Sequence, residues 1–307
     1  MICIIALAVF SILGIFSAAH RALAKEAFDC VLRRVTLRPC NTGFNEKTKG
    51  RIIGKILNRS VRLARFFNKR FELISWLFMI LTLASAIFII RGGYNYYMYG
   101  SCNGLNQNGF CVFDPTGGNN KISALKSNIC STNSPSEKQL TMEWLNLSDF
   151  PQKLFGSENK IIFIGCYNCD YSRKAYPLIK ELVEKKRADF TFIHIPVKEE
   201  TNYLTAYAYC AYKQDKEKFW NLNDRLFASD KQNVASNNYA EKLAEDSGYD
   251  IAKLQECVLN KDTGDAVIKQ IEQAQTTGIY GTPTIFINGK ALVGPKPYRV
   301  YERMLKN

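Results

Sequence analysis

Histidine is nearly missing from this 307-residue chain, which has only His20 and His194. Its one C-x-x-C motif joins Cys166 and Cys169, and no second Cys or His pair stands ready to complete a four-ligand zinc site. No phosphate-binding glycine fingerprint and no internal repeat is visible. Charge of either sign is absent from two stretches, residues 2–19 and 73–90, and acids are scarce between them. Residues 20–70 hold 14 Lys/Arg against Glu26, Asp29 and Glu46, so +11 of the formal charge of +13 sits there. Residues 92–307 hold 26 basic and 24 acidic side chains. The basic excess therefore belongs to one segment.

What is present centres on the run IIFIGCYNCDYSRKAYPLIKELVEK. Residues 161–164 are too short and too β-branched for a helix and read as a buried strand. From Tyr167 onward apolar residues recur at helical spacing through Tyr171, Leu178, Ile179 and Val183. Cys166 is thereby expected at an exposed helix N-terminus, where open N–H groups and the helix dipole favour a thiolate. Cys169 follows in the same turn, on the inner face, able to close a small ring. The pair reads as a cycling dithiol with Cys166 as nucleophile and Cys169 as resolving thiol; a zinc half-site and an inert surface disulfide are the competing readings. Downstream, TTGIYGTPTIFINGKALVG reads as a helix end at Gly278, a turn into Pro283, a strand over 284–287, an Asn288-Gly289 hairpin turn and a second strand. A proline directly before a buried strand either terminates pairing or holds a cis bond.

C-x-x-C, then a helical insert, then Thr-Pro is a specific order, and on these residues the segment 139–307 resembles the DsbA-like branch of the thioredoxin superfamily. The resembling stretches are GCYNCDYSRKAYP, AYAYCAYKQDKEKFWNLNDRLF, YAEKLAEDSGYDIAKLQECVLN and GIYGTPTIFINGKALVG. The resemblance implies an α/β thioredoxin fold with an inserted helical domain over about 200–277. It implies thiol–disulfide exchange at Cys166 and Cys169, with no metal or other cofactor. It also implies a cis Thr282–Pro283 bond facing the cysteines, beside which an extended client pairs with the backbone. Two departures bear on direction. Tyr167-Asn168 replaces the Pro-His of strongly oxidising members, leaving less positive charge at the pair. Lys160, read as a solvated strand-end lysine, stands roughly where many relatives carry a buried acid.

The N-terminal third lies outside the resemblance. Eighteen helical residues rise about 27 Å, close to a bilayer's hydrocarbon thickness. Residues 1–19 and 71–91 therefore read as two transmembrane helices, the second flanked by Trp76 and by Tyr94, Tyr96, Tyr97 and Tyr99 as an interfacial belt. A cleaved signal peptide is the alternative for the first, but no basic residue precedes its apolar run. The 14 Lys/Arg place the 20–70 loop in the cytoplasm, with both termini and the redox domain on the outer side of a cell membrane. Within the loop, 51–71 reads as a basic amphipathic helix lying on anionic lipid; nucleic acid is not expected, since no reader motif is present. Cys30 and Cys40 are expected to stay reduced there. Residues 92–138 read as an extracytoplasmic linker with little helical periodicity.

An oxidising compartment makes Cys102–Cys111 a plausible local disulfide across a polar loop. It also favours a Cys210–Cys257 bond, which the resemblance implies; two buried thiols on apolar helix faces are the other reading. Cys130 is left free, paired between chains, or near Cys3. The expected activity is disulfide formation in exported cysteine-containing clients, with a membrane quinone-linked re-oxidant resembling DsbB or VKOR. A reductase or isomerase using the same site, and a non-catalytic membrane-anchored client-binding protein, are the alternatives.

Overall fold

The computed structural model describes residues 18–36, 50, 53–54, 56–58, 60–107, 109–125, 140–197 and 202–306. Cys3, Cys40, Cys130 and nearly all of the apolar stretch 2–19 lie outside them. The chain divides into two compact units, Met1–Arg91 and Gly92–Asn307.

In the first unit, helix α1 covers Ala18–Val35. Ala27 and Cys30, three residues apart and so on one helix face, are fully buried. Cys30 is disulfide-bonded, which corrects the expectation of a reduced thiol. Ser60 then interrupts the stretch read as one amphipathic helix: its Oγ accepts the Leu63 N–H at 3.5 Å and starts a new helix. That helix, α2, runs Val61–Tyr99, so the basic residues after Ser60 and the apolar run 73–90 share one 39-residue element. Among the described residues no helix is long and apolar enough to cross a membrane, and the two expected spans are not shown. The side chains of residues 71, 72, 75 and 78 of α2 are outside that description.

The expected linker begins later than its composition suggests, because α2 continues through Gly92 and Gly93 and ends where Gly100 takes a φ of 74°. Two helical glycines cost about 1 kcal/mol each relative to alanine. Contacts within the second unit offset that cost. Arg303 donates to the Tyr97 carbonyl at 2.8 Å with its guanidinium 3.9 Å from the Tyr97 ring centre, and Arg299 donates to the Tyr96 carbonyl at 3.3 Å.

After this helix end, the second unit forms β1 (Ser123–Ala124), β2 (Gln152–Lys153) and β3 (Lys160–Gly165). Helix α3 (Asp170–Lys186) leads to β4 (Asp189–His194). The helical insert follows as α4 (Tyr203–Gln214), α5 (Lys216–Ala228), α6 (Lys231–Val234), α7 (Asn237–Glu245) and α8 (Ile251–Leu259). Helix α9 (Lys261–Thr276) returns the chain to β5 (Gly281–Thr282), β6 (Thr284–Ile287), β7 (Lys290–Val293) and α10 (Tyr298–Glu302). The main sheet has the order β2-β4-β3-β6-β7, with β3 parallel to β4 and antiparallel to β6.

Strand alternation splits the core. Ile161 and Phe163 face a cluster with α3 and the insert, while Ile162 and Ile164 face a second one with Phe150, Ala274 and Phe286. A central strand covered on both faces reads as an unbroken apolar run, which is why IIFI carries no polar alternation. The β6–β7 turn sits on Asn288 and Gly289 at φ 48° and 85°, the left-handed geometry that an Asn-Gly pair supplies. The Asn288 side chain accepts from the Lys160 N–H at 2.9 Å, tying the turn to the start of β3. Disulfides join Cys102 to Cys111 and Cys210 to Cys257, the latter linking α4 to α8.

Candidate active site: a buried dithiol beside Pro283

Helix α3 starts one turn later than its periodicity suggests. Cys169, not Cys166, is its N-cap, and the Cys169 sulfur accepts the Ser172 N–H at 3.4 Å. Cys166 lies on the loop before it. The loop is held by a bond from the Cys169 N–H to the Cys166 carbonyl at 3.1 Å, and by the Cys166 N–H donating to Ser172 Oγ at 3.2 Å. Both cysteines are thiols in this structure. The expected contrast between an exposed Cys166 and a shielded Cys169 is not found, since they are 0% and 1% exposed. Val197, Leu125 and Tyr171 pack against them, and Leu125 comes from the expected linker, 92–138.

Three elements meet at the Cys169 sulfur. Besides the Ser172 N–H from α3, it contacts the Thr282 carbonyl at 3.4 Å and Ser123 Oγ at 3.1 Å. The Thr282–Pro283 peptide bond is cis, and Thr282 is fully buried. Burial pushes the Cys169 thiol up, but hydrogen bonds with Ser123, Ser172 and Thr282 outweigh it and hold its pKa below the ordinary thiol value. The serine hydroxyls and the Ser172 N–H can donate to a thiolate, whereas the Thr282 carbonyl can only accept, so we assign the lowering to the serines.

Tyr167, between the cysteines, is fully buried. Its ring stacks on His194 at 4.6 Å between centroids and meets Phe227 at 4.8 Å and Phe192 at 5.4 Å. Its hydroxyl donates to Asn223 Oδ1 at 2.7 Å, Asn223 Nδ2 donates to the Tyr176 hydroxyl at 2.6 Å, and that hydroxyl donates to Asp224 at 2.6 Å. Burial, and then the nearby Cys166, keep the Tyr167 phenol well above its usual pKa, so it remains a neutral donor. His194 bonds Thr205 through Nδ1 at 2.8 Å, and burial pushes its pKa down to about 3, so it stacks as a neutral ring. Its Nε2 has no hydrogen-bond partner among the described residues. Leaving such a nitrogen unmatched costs about 1–3 kcal/mol, and the aromatic contacts it makes are of the size needed to offset that. The α5 residues Asn223 and Phe227 thus brace the loop between the cysteines. The insert is part of the site's support.

The structure brings Cys166, Cys169, Thr282 and Pro283 together and keeps Cys210–Cys257 apart from them as a bridge within the helical insert. Ser123, Ser172, Tyr167, His194 and Asn223 were not singled out from sequence as site residues. Among the described residues no cluster of His, Cys, Asp and Glu is placed to hold a metal.

Fold and site are similar to those of DsbA-like, thioredoxin-fold thiol–disulfide oxidoreductases. Residues 158–307 match the family described as Thioredoxin. "Probable disulfide bond formation protein D" of Bacillus cereus is 24% identical over 144 residues, covering 42% of this chain and 65% of that protein. The protein of the same name from Bacillus anthracis gives the same values, 24% over 144 residues, 42% and 65%. The chain therefore spans 65% of the length of these curated relatives. Among solved structures, oxidised BdbD from Bacillus subtilis aligns at 19% identity and a TM-score of 0.45, covering 52% of this chain and 90% of that one.

Proposed function

We propose that the chain is a disulfide-forming oxidase for exported, cysteine-containing proteins. The observation that carries this reading is the Cys169 sulfur, set between the Thr282 carbonyl and donors that lower its pKa. In the oxidised state a client thiolate attacks Cys166 Sγ, and the Cys166–Cys169 bond breaks with Cys169 leaving as thiolate. A sulfur with a lowered pKa leaves faster, which suits Cys169 to that role. A second client thiolate then attacks the client sulfur of the mixed disulfide and displaces Cys166. The client gains a disulfide, and the pair takes up its two electrons. The backbone beside Pro283 holds the client as an extended strand. A quinone-linked membrane partner of the DsbB or VKOR kind re-oxidises the pair. The disulfides Cys102–Cys111 and Cys210–Cys257 suit an oxidising compartment.

The reductase or isomerase reading is supported by Tyr167-Asn168, which brings no positive charge to the pair. Equilibration with glutathione separates the two. The oxidase reading expects a reduction potential nearer about −120 mV than about −270 mV, and a value at the lower end reverses the direction of catalysis.

The same proposal anchors the chain in the cell membrane through residues 1–19 and 71–91, with the basic loop on anionic lipid. Its support is the uncharged run 73–90 within α2, where Ile87, Phe88, Ile89 and Ile90 are 65, 70, 61 and 71% exposed. A run of this length and apolarity is costly to leave in water. The 14 basic residues favour a cytoplasmic 20–70 loop, and the Cys30 disulfide is the observation that pulls the other way. We weight the charge and expect an impermeant amine label on intact cells stripped of their outer layer to mark 92–307 and spare 20–70. Labelling of the 20–70 lysines alone reverses the topology.

A further inference from the structure

The dithiol is covered by the chain itself. β1 pairs antiparallel with β5, placing Ser123 opposite Thr282 and Ala124 opposite Gly281, and the Leu125 N–H donates to the Tyr280 carbonyl at 3.2 Å. Ser123 Oγ stands 3.1 Å from the Cys169 sulfur, and Leu125 packs against both cysteines. The fit is close. A Cβ on Gly281 would lie 2.6 Å from Ile122 Cδ1 and 2.8 Å from the Ser123 carbonyl. The preceding residues are fastened as well: Asn119 donates to the Gly100 carbonyl at 3.0 Å, and Asn120 accepts from the buried Lys296 ammonium.

We propose that residues 122–125 are an autoinhibitory strap: a strand of this chain occupies the edge on which a client would pair, and the dithiol reacts only when that strand lifts. The inference rests on the reading of the backbone beside Pro283 as the client edge. A strand offers that edge the donors and acceptors a client would bring, so the two compete for one place. The strap's hold is short, two paired residues with one further main-chain bond, which makes local opening accessible without unfolding the domain. Ser123 puts a hydroxyl rather than a thiol at the Cys169 sulfur, so the strap occupies the site without being oxidised by it. Lifting also withdraws that hydroxyl, leaving Ser172 as the serine beside Cys169.

The test uses the full chain, reduced, with iodoacetamide labelling of Cys166 and Cys169 read by peptide mass. Labelling involves no client and no exchange step, so it reports on the strap alone. Leu125→Pro deletes the Leu125 N–H, and Gly281→Ala evicts the strap from the opposite side without altering its sequence. Both are expected to raise labelling of the pair by about tenfold or more, the closed fraction having been removed. Ser123→Cys in a Cys166→Ser background, oxidised by diamide, is expected to form a bond to Cys169, two electrons passing to diamide, and to lose Cys169 labelling until reductant is added. Unchanged labelling in both Leu125→Pro and Gly281→Ala overturns the strap. So does a Ser123→Cys thiol that reacts like an exposed one and forms no bond to Cys169. Faster labelling without oxidation of a reduced dithiol peptide by the oxidised variants keeps the strap and sinks the oxidase reading.

Discussion

Replacing Cys166 by serine is expected to abolish disulfide transfer to a reduced dithiol peptide, by about a thousandfold or more, with the fold retained. The oxidised pair is the reactant. Without the Cys166 sulfur no Cys166–Cys169 bond exists for a client thiolate to attack, and a serine oxygen cannot carry the mixed disulfide. Cys169→Ser should behave differently. It keeps the Cys166 thiolate, which can attack a client disulfide and release the client's other sulfur as a thiolate, but removes the intramolecular thiol that would resolve the adduct, so mixed disulfides with clients should accumulate on Cys166. Thiol-trapping of cell extracts followed by non-reducing electrophoresis reads both variants. A Cys166→Ser chain that still oxidises the peptide would remove the dithiol from the mechanism. If both variants instead bind and release clients as the parent does, the non-catalytic binding reading takes over. Adducts on Cys169 in place of Cys166 would exchange the roles of nucleophile and resolving thiol.

The parts of the site legible in sequence were those written in local pattern. A β-branched run before C-x-x-C identified β3 and α3, and Asn288-Gly289 marked the β6–β7 turn. What stayed hidden depends on contacts between residues far apart in the chain. β1 is two residues long and has no period to detect; it exists because Gly281 lets Ser123 and Ile122 approach closely. The inward turn of Tyr167 depends on His194, Asn223 and Phe227, which come from β4 and α5. Composition alone suggested that α2 would stop at Gly92 and Gly93, because it cannot show the arginines of α10 and the residue after it gripping Tyr96 and Tyr97. The late start of α3 follows the same logic. Periodicity places a helix face, whereas the cap is chosen by which side chain reaches the open Ser172 N–H.

Removing the Cys210–Cys257 bridge should weaken the support beneath this site. The bond closes a separation of 47 residues, and the chain-entropy treatment gives about 4 kcal/mol for a loop of that size. For a domain of 150–250 residues that corresponds to roughly 8–16 °C in melting temperature. Alanine is the better replacement for both cysteines. Cys210 is almost fully buried, and a serine there would add the cost of an unmatched hydroxyl. Thr263 Oγ1 lies 3.9 Å from the Cys210 sulfur and 3.6 Å from that of Cys257, so it loses these contacts in either design. The consequence reaches the dithiol through α5, whose Asn223 and Phe227 hold Tyr167 from within the insert. The Cys210→Ala, Cys257→Ala chain is therefore expected to melt earlier and to label faster at Cys166 and Cys169 on warming. Reductant should lower the melting temperature of the parent far more than that of the double variant, with a Cys102→Ala, Cys111→Ala chain controlling for the other bridge. Equal melting temperatures for parent and double variant would show that helix packing alone holds the insert, and that the bridge contributes little to the active-site floor.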